Sequence, residues 1–156
     1  MVEVPDNRRL GALAGKLLAD AAFVFAEPSS GFDPKNKSLY LAKIALTSSE
    51  RWELLVLADG DLAKALAANL LGIDEESEEA QKSSPEALGE WANIVAGSVA
   101  AECKGIKGPC RIGIPVVTAE PSVRAAACMC RAVRRANLVT ENGQHLAIAL
   151  RPAEAS

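Results

Sequence analysis

The sequence predicts an α+β fold in which a mostly antiparallel sheet carries long helices packed on one face. Three long segments repeat apolar residues at three- and four-residue steps, which is typical of helices with one buried side. Shorter segments rich in Leu, Ile and Val are bounded by Gly, Pro, Asn and Ser, which is typical of strands joined by turns. The length of 156 residues matches one ordinary domain, and we expect a single domain over residues 1–156.

The composition argues against several classes of protein. Hydrophobic residues make up 49% and charged residues 24% of the chain, and the formal net charge is -3, as in ordinary globular proteins. This charge balance disfavours a nucleic-acid partner, which would call for a large positive field. The amino-terminal segment lacks the uninterrupted apolar core of a signal peptide, and no apolar run approaches the ~18 residues of a membrane span. We therefore expect a cytoplasmic protein with no membrane partner.

The amino-terminal part is expected to form one helix followed by a loop. Within residues 6–25, apolar side chains recur with helical spacing, and Asp6 precedes them in a position to cap the helix. Residues 27–37 contain two prolines, one glycine and two serines. Because this composition interrupts both helices and strands, we expect a loop there.

A β-hairpin and a second helix are expected next. Residues 38–47 and 51–58 are rich in strand-forming residues, and only a short polar segment separates them. The second helix is expected to begin near Asp59 or Asp61. It is expected to end at Gly72, because glycine readily caps the carboxyl end of a helix.

The second half of the chain is expected to contain one long helix followed by three strands. Ser84 and Pro85 form a typical helix start, because serine can cap free N–H groups and proline fits the first turn. The helix is expected over residues 85–104 and the first strand over residues 111–118. A hairpin is expected within residues 129–150, since an Asn-Gly pair near its centre favours a tight turn.

The four cysteines and the single histidine do not match a metal site. Neither the spacing of Cys103 and Cys110 nor that of Cys128 and Cys130 is typical of zinc ligands. We expect buried thiols in a reducing compartment, with a disulfide or a metal site as the alternative. Cys128 and Cys130 are expected on one side of a strand, and His145 is expected to be a strand residue rather than a catalytic one.

The long helix at residues 85–104 has two different faces. Its apolar face is expected to pack on the sheet and consists of Leu88, Trp91, Ala92, Val95, Val99 and Cys103. The opposite face groups Glu86, Glu90, Asn93 and Gly97, with Gly89 at its margin. Glycine costs roughly 1 kcal/mol relative to alanine on an ordinary exposed helix face. We therefore expect a low ridge, over which another protein can approach until Glu90 and Asn93 project into it.

The segment EALGEWANIVAGSVAAEC resembles the motif helix of the CheC/CheX/FliY chemotaxis phosphatases. The family pattern is Asp or Ser, three residues, Glu, two residues and Asn, and Glu90 and Asn93 match its last two positions. Glu86 stands at the first position in place of Asp or Ser. A proline follows the family's Asn at a fixed distance, and Pro115 lies one residue short of it. The resemblance is nearest to the CheX-like branch, covers residues 6–151 and implies a CheC-like fold.

Proteins of this family are similar to tandem duplications, and the chain contains a short internal match. Aligning LGALAGKLLAD with LGEWANIVAGS pairs the first helix with the motif helix. Ala12 then corresponds to Glu90, and Gly15 corresponds to Asn93. A degenerate internal duplication with one active site per chain would follow, and a chance match between two apolar helices is the alternative.

The resemblance implies a phosphatase that acts on the phosphoaspartate of a phosphorylated CheY-like response regulator. In this family the receiver supplies Mg²⁺ and most phosphate-binding groups, so the chain is expected to hold no cofactor or metal of its own. Asn93 is implied to orient the attacking water, because an amide both donates and accepts hydrogen bonds without titrating. Glu90 is implied to pair with the active-site lysine of the receiver. Glu86 and Gly97 are expected to contact the same partner.

Several alternatives remain open at this point. The same fold can serve as a non-catalytic module that binds a receiver or a flagellar component. A homodimer formed through the edge of the terminal hairpin is compatible with either activity. Glu86 and Glu90 could form an acid–base pair, but nothing in the sequence indicates the buried environment that such catalysis requires. The acidic run at residues 74–79 is expected to be a solvated connector, with a docking site for a basic partner as its alternative.

Overall fold

One antiparallel sheet and a layer of helices form the part of the chain that the computed structural model describes, residues 1–33, 38–129 and 131–153. The strands are β1 (Ala26–Pro28), β2 (Ser38–Thr47), β3 (Arg51–Asp59), β4 (Arg111–Ile112), β5 (Val116–Pro121), β6 (Arg134–Thr140) and β7 (His145–Pro152). The helices are α1 (Asn7–Ala22), α2 (Gly60–Leu71), α3 (Glu78–Lys82), α4 (Ser84–Glu102) and α5 (Ser122–Met129). The predicted α+β class is confirmed.

The sheet is built from two hairpins that meet at its centre. Its strand order is β1-β6-β7-β3-β2-β4, and β5 also pairs with β2. The hairpin β2–β3 places Leu41 opposite Leu57, and the hairpin β6–β7 places Leu138 opposite Leu146. The strands β3 and β7 join the two hairpins in antiparallel register. The predicted hairpins are therefore confirmed, and His145 begins β7 as a strand residue.

The two faces of the sheet are covered unequally. Strand side chains alternate between the faces, so that Val56 and Ile148 point toward α1, α2 and α4, where the main core lies. On the opposite face, Leu55 and Leu57 form a smaller core to which α5 contributes Met129. The prediction of long helices on one face is confirmed. The short helix α5 on the other face was not predicted.

The start of α1 and both ends of α2 follow from capping residues that the sequence displays. The Asp6 carboxylate accepts a hydrogen bond from the Arg9 backbone N–H at 2.8 Å, and Asp59 accepts one from the Asp61 N–H at 3.1 Å. Gly72 ends α2 in the left-handed conformation with φ 68°. α2 therefore begins and ends at the predicted positions, and α1 begins as predicted. α1 ends at Ala22, three residues before the predicted end, with Phe23 in the left-handed conformation.

Several segments differ from the prediction. Residues 27 and 28 of the expected loop belong to β1, which pairs with β6, and residues 34–37 of that loop lie outside the described residues. The strand expected at residues 111–118 is divided into β4 and β5, because Pro115 between them has no N–H group for a strand ladder. Cys128 lies on the unpredicted helix α5 and not on a strand, whereas Cys130 lies outside the described residues.

The topology repeats itself in the two halves of the chain. In the first half, α1 and the outer strand β1 precede the hairpin β2–β3; in the second half, α4 and the outer strand β5 precede the hairpin β6–β7. Each outer strand pairs with the hairpin of the other half, β1 with β6 and β5 with β2. Each helix packs on the outer strand of its own half and on the hairpin strand with which that outer strand pairs: α1 packs on β1 and β6, and α4 packs on β5 and β2. This symmetry supports the internal duplication that pairs α1 with α4.

Candidate functional site

The helix α4 begins differently from the prediction. Ser83 occupies the N-cap position without a side-chain capping bond, and Pro85 lies in the first turn. Ser84, which was expected to be the cap, is the first helical residue, and its hydroxyl donates to the Ala80 carbonyl oxygen at 2.8 Å. Ser84 is buried, so this bond fastens α4 to the preceding short helix α3. The start of the motif helix is thus fixed by α3 as well as by proline.

The two faces of α4 lie as the helical periodicity predicts. Leu88, Trp91, Val95 and Val99 are fully buried against the sheet and the neighbouring helices. Glu86, Glu90 and Asn93 are exposed on the opposite side. Because Glu90 and Asn93 are three residues apart, their side chains project from the same helix face. The predicted positions of these residues are confirmed; their roles stay predictions.

The glycines of α4 have two different environments, and one of them corrects the predicted ridge. A Cβ at Gly89 would lie 3.2 Å from Val117 Cγ2 and 3.6 Å from Pro115, and Gly89 is buried. Gly89 therefore allows β5 and the Pro115 turn to approach the helix, and it does not belong to the exposed ridge. Gly97 is half-buried, and a Cβ there would have only Ile112 Cδ1 within reach, at 3.9 Å. Of the two glycines, Gly97 is therefore the one that keeps the surface next to Asn93 low.

Exposed apolar side chains border the motif residues, and the sequence analysis missed them. On the β4–β5 side of α4, Ile112 is 39%, Ile114 88% and Val116 59% exposed. On the other side, Leu70 and Leu71 at the end of α2 line a cavity of about 250 Å³ together with Glu86 and Glu90. We call these five residues the apolar rim: Leu70, Leu71, Ile112, Ile114 and Val116. Exposed apolar patches next to polar residues are typical of protein-binding sites.

The motif side chains are not engaged by the rest of the chain. Within the described ranges, no hydrogen bond or ion pair involves the side chain of Glu90 or Asn93. Both remain available to a partner. In the same ranges, no group of three or more His, Cys, Asp or Glu side chains is placed to hold a metal ion. The helices described there also include none that is long and apolar enough to cross a membrane.

The carboxyl end of α4 is held by contacts that lie away from the motif face. The Arg9 guanidinium of α1 donates to Glu102 Oε1 at 2.6 Å, and this hydrogen bond raises the pKa of Arg9 above its ordinary value. Cys103 Sγ lies 3.2 Å from the Val99 carbonyl oxygen, to which the thiol donates. Burial raises the pKa of the Cys103 thiol, and the neighbouring Cys110 and Glu102 raise it further. This thiol is accordingly held in its neutral form.

His145 makes structural contacts. Its Nδ1 accepts a hydrogen bond from the Asp33 backbone N–H at 3.3 Å, and its ring meets Phe32 edge to face with the centroids 6.0 Å apart. These contacts hold Phe32 and Asp33 against the start of β7.

Comparisons with known proteins agree with this geometry. Residues 40–133 match the family model of the chemotaxis phosphatase CheX, and this range contains the whole of α4 with its motif. No curated protein sequence matches the chain significantly.

Solved structures of chemotaxis proteins share the fold. The CheX protein of Desulfovibrio desulfuricans is 16% identical with a TM-score of 0.64, and the match covers 92% of this chain and 97% of that chain. A chain of the CheX-CheY-BeF3-Mg complex from Borrelia burgdorferi is 18% identical with a TM-score of 0.64, covering 96% and 99%. FliY of Thermotoga maritima is 13% identical with a TM-score of 0.58, covering 98% and 93%. Since the family model spans more than half of the 156 residues, the chain belongs to the CheX family of chemotaxis phosphatases.

Proposed function

We propose that this protein hydrolyses the phosphoaspartate of a CheY-like response regulator. The observation that carries the proposal is the position of Glu90 and Asn93, which share the exposed face of α4 inside the segment matched by the family model. The Borrelia burgdorferi complex, in which a CheX protein is bound to CheY with BeF3 and Mg²⁺, supports a CheY-like partner for a chain of this fold.

In the proposed reaction, a water oxygen bonds to phosphorus while the bond between phosphorus and the aspartate oxygen breaks. The products are inorganic phosphate as H2PO4⁻, which keeps both protons of the water, and a free aspartate carboxylate. Asn93 holds the water in line with the breaking bond through its side-chain amide. Because the amide does not titrate, Asn93 contributes positioning rather than proton transfer.

Glu90 acts in docking. Its carboxylate pairs with the lysine of the receiver active site, which fixes the register of α4 and places Asn93 over the phosphoryl group. Glu86, one turn earlier, adds a second carboxylate to the contact surface. Gly97 leaves room for the receiver to approach the helix. The apolar rim lies on both sides of these polar contacts and excludes bulk solvent from them, apart from the water that Asn93 holds.

Mg²⁺ enters this mechanism only through the partner. The receiver holds the ion next to the phosphoryl group, where it neutralises the developing negative charge. The proposed roles of Glu90 and Asn93 require no metal ligand from this chain.

A receiver-binding module without activity is the second candidate. The apolar rim serves binding alone as well as it serves catalysis, and Glu86 departs from the Asp or Ser of the family pattern. Both candidates predict a complex with the receiver, and only the first predicts loss of its phosphate.

Phosphate release from a phosphorylated CheY-like receiver, with and without this chain, distinguishes the two. Wild type is expected to accelerate release, and Asn93→Ala to lower turnover at least ~10-fold, about 1.4 kcal/mol of barrier, with binding retained. Glu90→Ala is expected to weaken both binding and turnover. Glu141→Ala, an exposed carboxylate on the β6–β7 turn, is the matched control and should change neither. A wild-type chain that binds several receivers without shortening the lifetime of their phosphate would establish the binding module instead.

A further inference from the structure

We propose that the groove between α1 and the strands β1 and β6 binds a phosphorylated small molecule of nucleotide size. The groove has a volume of about 600 Å³, which falls within the range of small-molecule sites. It lies on α1, whereas the motif residues lie on α4. The groove is therefore a second site and does not depend on the proposed phosphatase activity.

Small residues give the groove an apolar floor. A Cβ at Gly11 would lie 3.1 Å from Ala136 Cβ, so that α1 lies close to β6 at this position. One turn later, a Cβ at Gly15 would have the Ala26 carbonyl oxygen as its nearest neighbour, at 4.0 Å. Ala12 lines the same space. The helix leaves an open floor that can accept a flat or apolar group.

The charged residues that line the groove are all cations. Arg8, Lys16 and Arg135 are its charged members, and no Asp or Glu is found among the lining residues of the described chain. Within that same part of the chain, none of the three has an ion-pair partner. The whole chain has more acidic than basic residues, 20 against 17, so this excess of positive charge is local. Charges of one sign along a groove strengthen the field inside it and favour an anion.

Two amide side chains add hydrogen-bond donors. Asn7 Oδ1 accepts from the Arg135 backbone N–H at 2.9 Å, and Asn137 Oδ1 accepts from Arg135 Nε–H at 3.4 Å. Because Arg135 occupies both amide oxygens, the NH₂ groups of Asn7 and Asn137 remain as donors in the groove lining. Guanidinium groups bind phosphate oxygens through paired N–H donors, and side-chain amides supply further N–H donors. Donors around an apolar floor match a phosphate that is joined to a planar body.

Comparison of the two repeats supports the choice of an anion. The alignment of α1 with α4 puts Arg8 at the position of Glu86 and Ala12 at the position of Glu90. The equivalent surfaces thus carry opposite charges. The carboxylates of α4 suit a partner that presents a lysine. The cations of α1 would repel such a lysine and instead suit a phosphate.

Titration of the full-length ¹⁵N-labelled chain with ADP tests the proposal. Saturable shifts are expected for backbone amides of α1, β1 and β6, with a dissociation constant of about 1 mM or below. Adenosine should cause no such shifts, and inorganic phosphate should bind more weakly than ADP. The absence of saturable shifts in these elements at about 10 mM ADP would overturn the proposal. No receiver is present, so the outcome is independent of the phosphatase assay.

Variants separate charge from shape. Gly15→Glu places a carboxylate in the open floor and Gly15→Gln a neutral group of the same size, and neither should lower stability because glycine is unfavourable inside a helix. The Glu variant is expected to bind ADP at least ~10-fold more weakly than the Gln variant. Equal affinities would contradict the proposal.

A pair of charge-removal variants completes the test. Arg8→Gln/Lys16→Gln should weaken ADP binding at least ~10-fold, whereas Lys104→Gln/Lys107→Gln, which removes two exposed cations after α4, should change it less than ~2-fold. Equal losses in the two double variants would show non-specific attraction and overturn the assigned site.

Discussion

Replacing Gly89 and Gly97 in parallel measures how closely β5 packs on the motif helix. Alanine in place of glycine inside a helix stabilises by roughly 1 kcal/mol. At Gly97 the nearest atom to a new Cβ is 3.9 Å away, so Gly97→Ala should raise the free energy of unfolding by most of that amount. At Gly89 the nearest atom is 3.2 Å away, closer than the ~3.5–4.0 Å optimum of carbon contacts. Gly89→Ala should therefore stabilise less than Gly97→Ala.

Leucine substitutions should enlarge the difference in stability between variants at Gly89 and variants at Gly97. Gly89→Leu inserts further atoms toward Val117 and Pro115, and overpacking of this kind typically costs ~1–3 kcal/mol. At about 2–4 °C per kcal/mol for a chain of this size, the melting temperature should fall by several degrees. Gly97→Leu should not lower it, because the side chain can extend into solvent. The side chain introduced by Gly97→Leu also protrudes from the helix next to Asn93, where it obstructs the approach of the receiver. Gly97→Leu should therefore weaken receiver binding while the fold is retained.

Urea unfolding followed by tryptophan fluorescence provides the measurement, since Trp91 is buried in α4 and reports on its packing. Circular dichroism of each folded variant controls for loss of the helix. If Gly89→Leu is as stable as Gly97→Leu, β5 does not pack on α4 at Gly89, and the physical account of this glycine is wrong.

Three further predictions concern the rim, the thiol and the metal. Ile114→Asp should weaken receiver binding at least ~10-fold without loss of stability, because Ile114 is 88% exposed; Val133→Asp, on an exposed residue before β6, is the control and should bind normally. Burial and the neighbouring Cys110 and Glu102 penalise the Cys103 thiolate in the folded state, so the stability present at neutral pH is lost as the pH rises from the unfolded-state pKa of a thiol through the raised folded-state pKa. The melting temperature of Cys103→Ala should therefore fall less than that of wild type between about pH 7 and about pH 10. A chelator should abolish receiver dephosphorylation although elemental analysis of the purified chain finds no stoichiometric metal; zinc or iron that survives dialysis would contradict this.

Local chemistry made much of the fold and the site predictable from sequence. Asp6 and Gly72 act on backbone groups only a few residues away, and for that reason the start of α1 and the end of α2 could be located. The faces of α4 follow from helical periodicity, which depends only on the rotation per residue. Glu90 and Asn93 were therefore placed correctly on the exposed face, although exposure alone does not show what they do.

Other features depend on contacts between residues far apart in the chain. β1 is too short to be recognised by its own pattern and exists because β6 of the other half pairs with it. Gly89 looks like an exposed glycine in a helical projection, but the fold brings Val117 and Pro115 against it. The apolar rim and the cationic groove likewise join segments that have no common sequence pattern. Sequence alone determined which surfaces each element can offer; the sheet register and the packing of helices on it decided which of those surfaces meet, because burial is a property of the assembled layers.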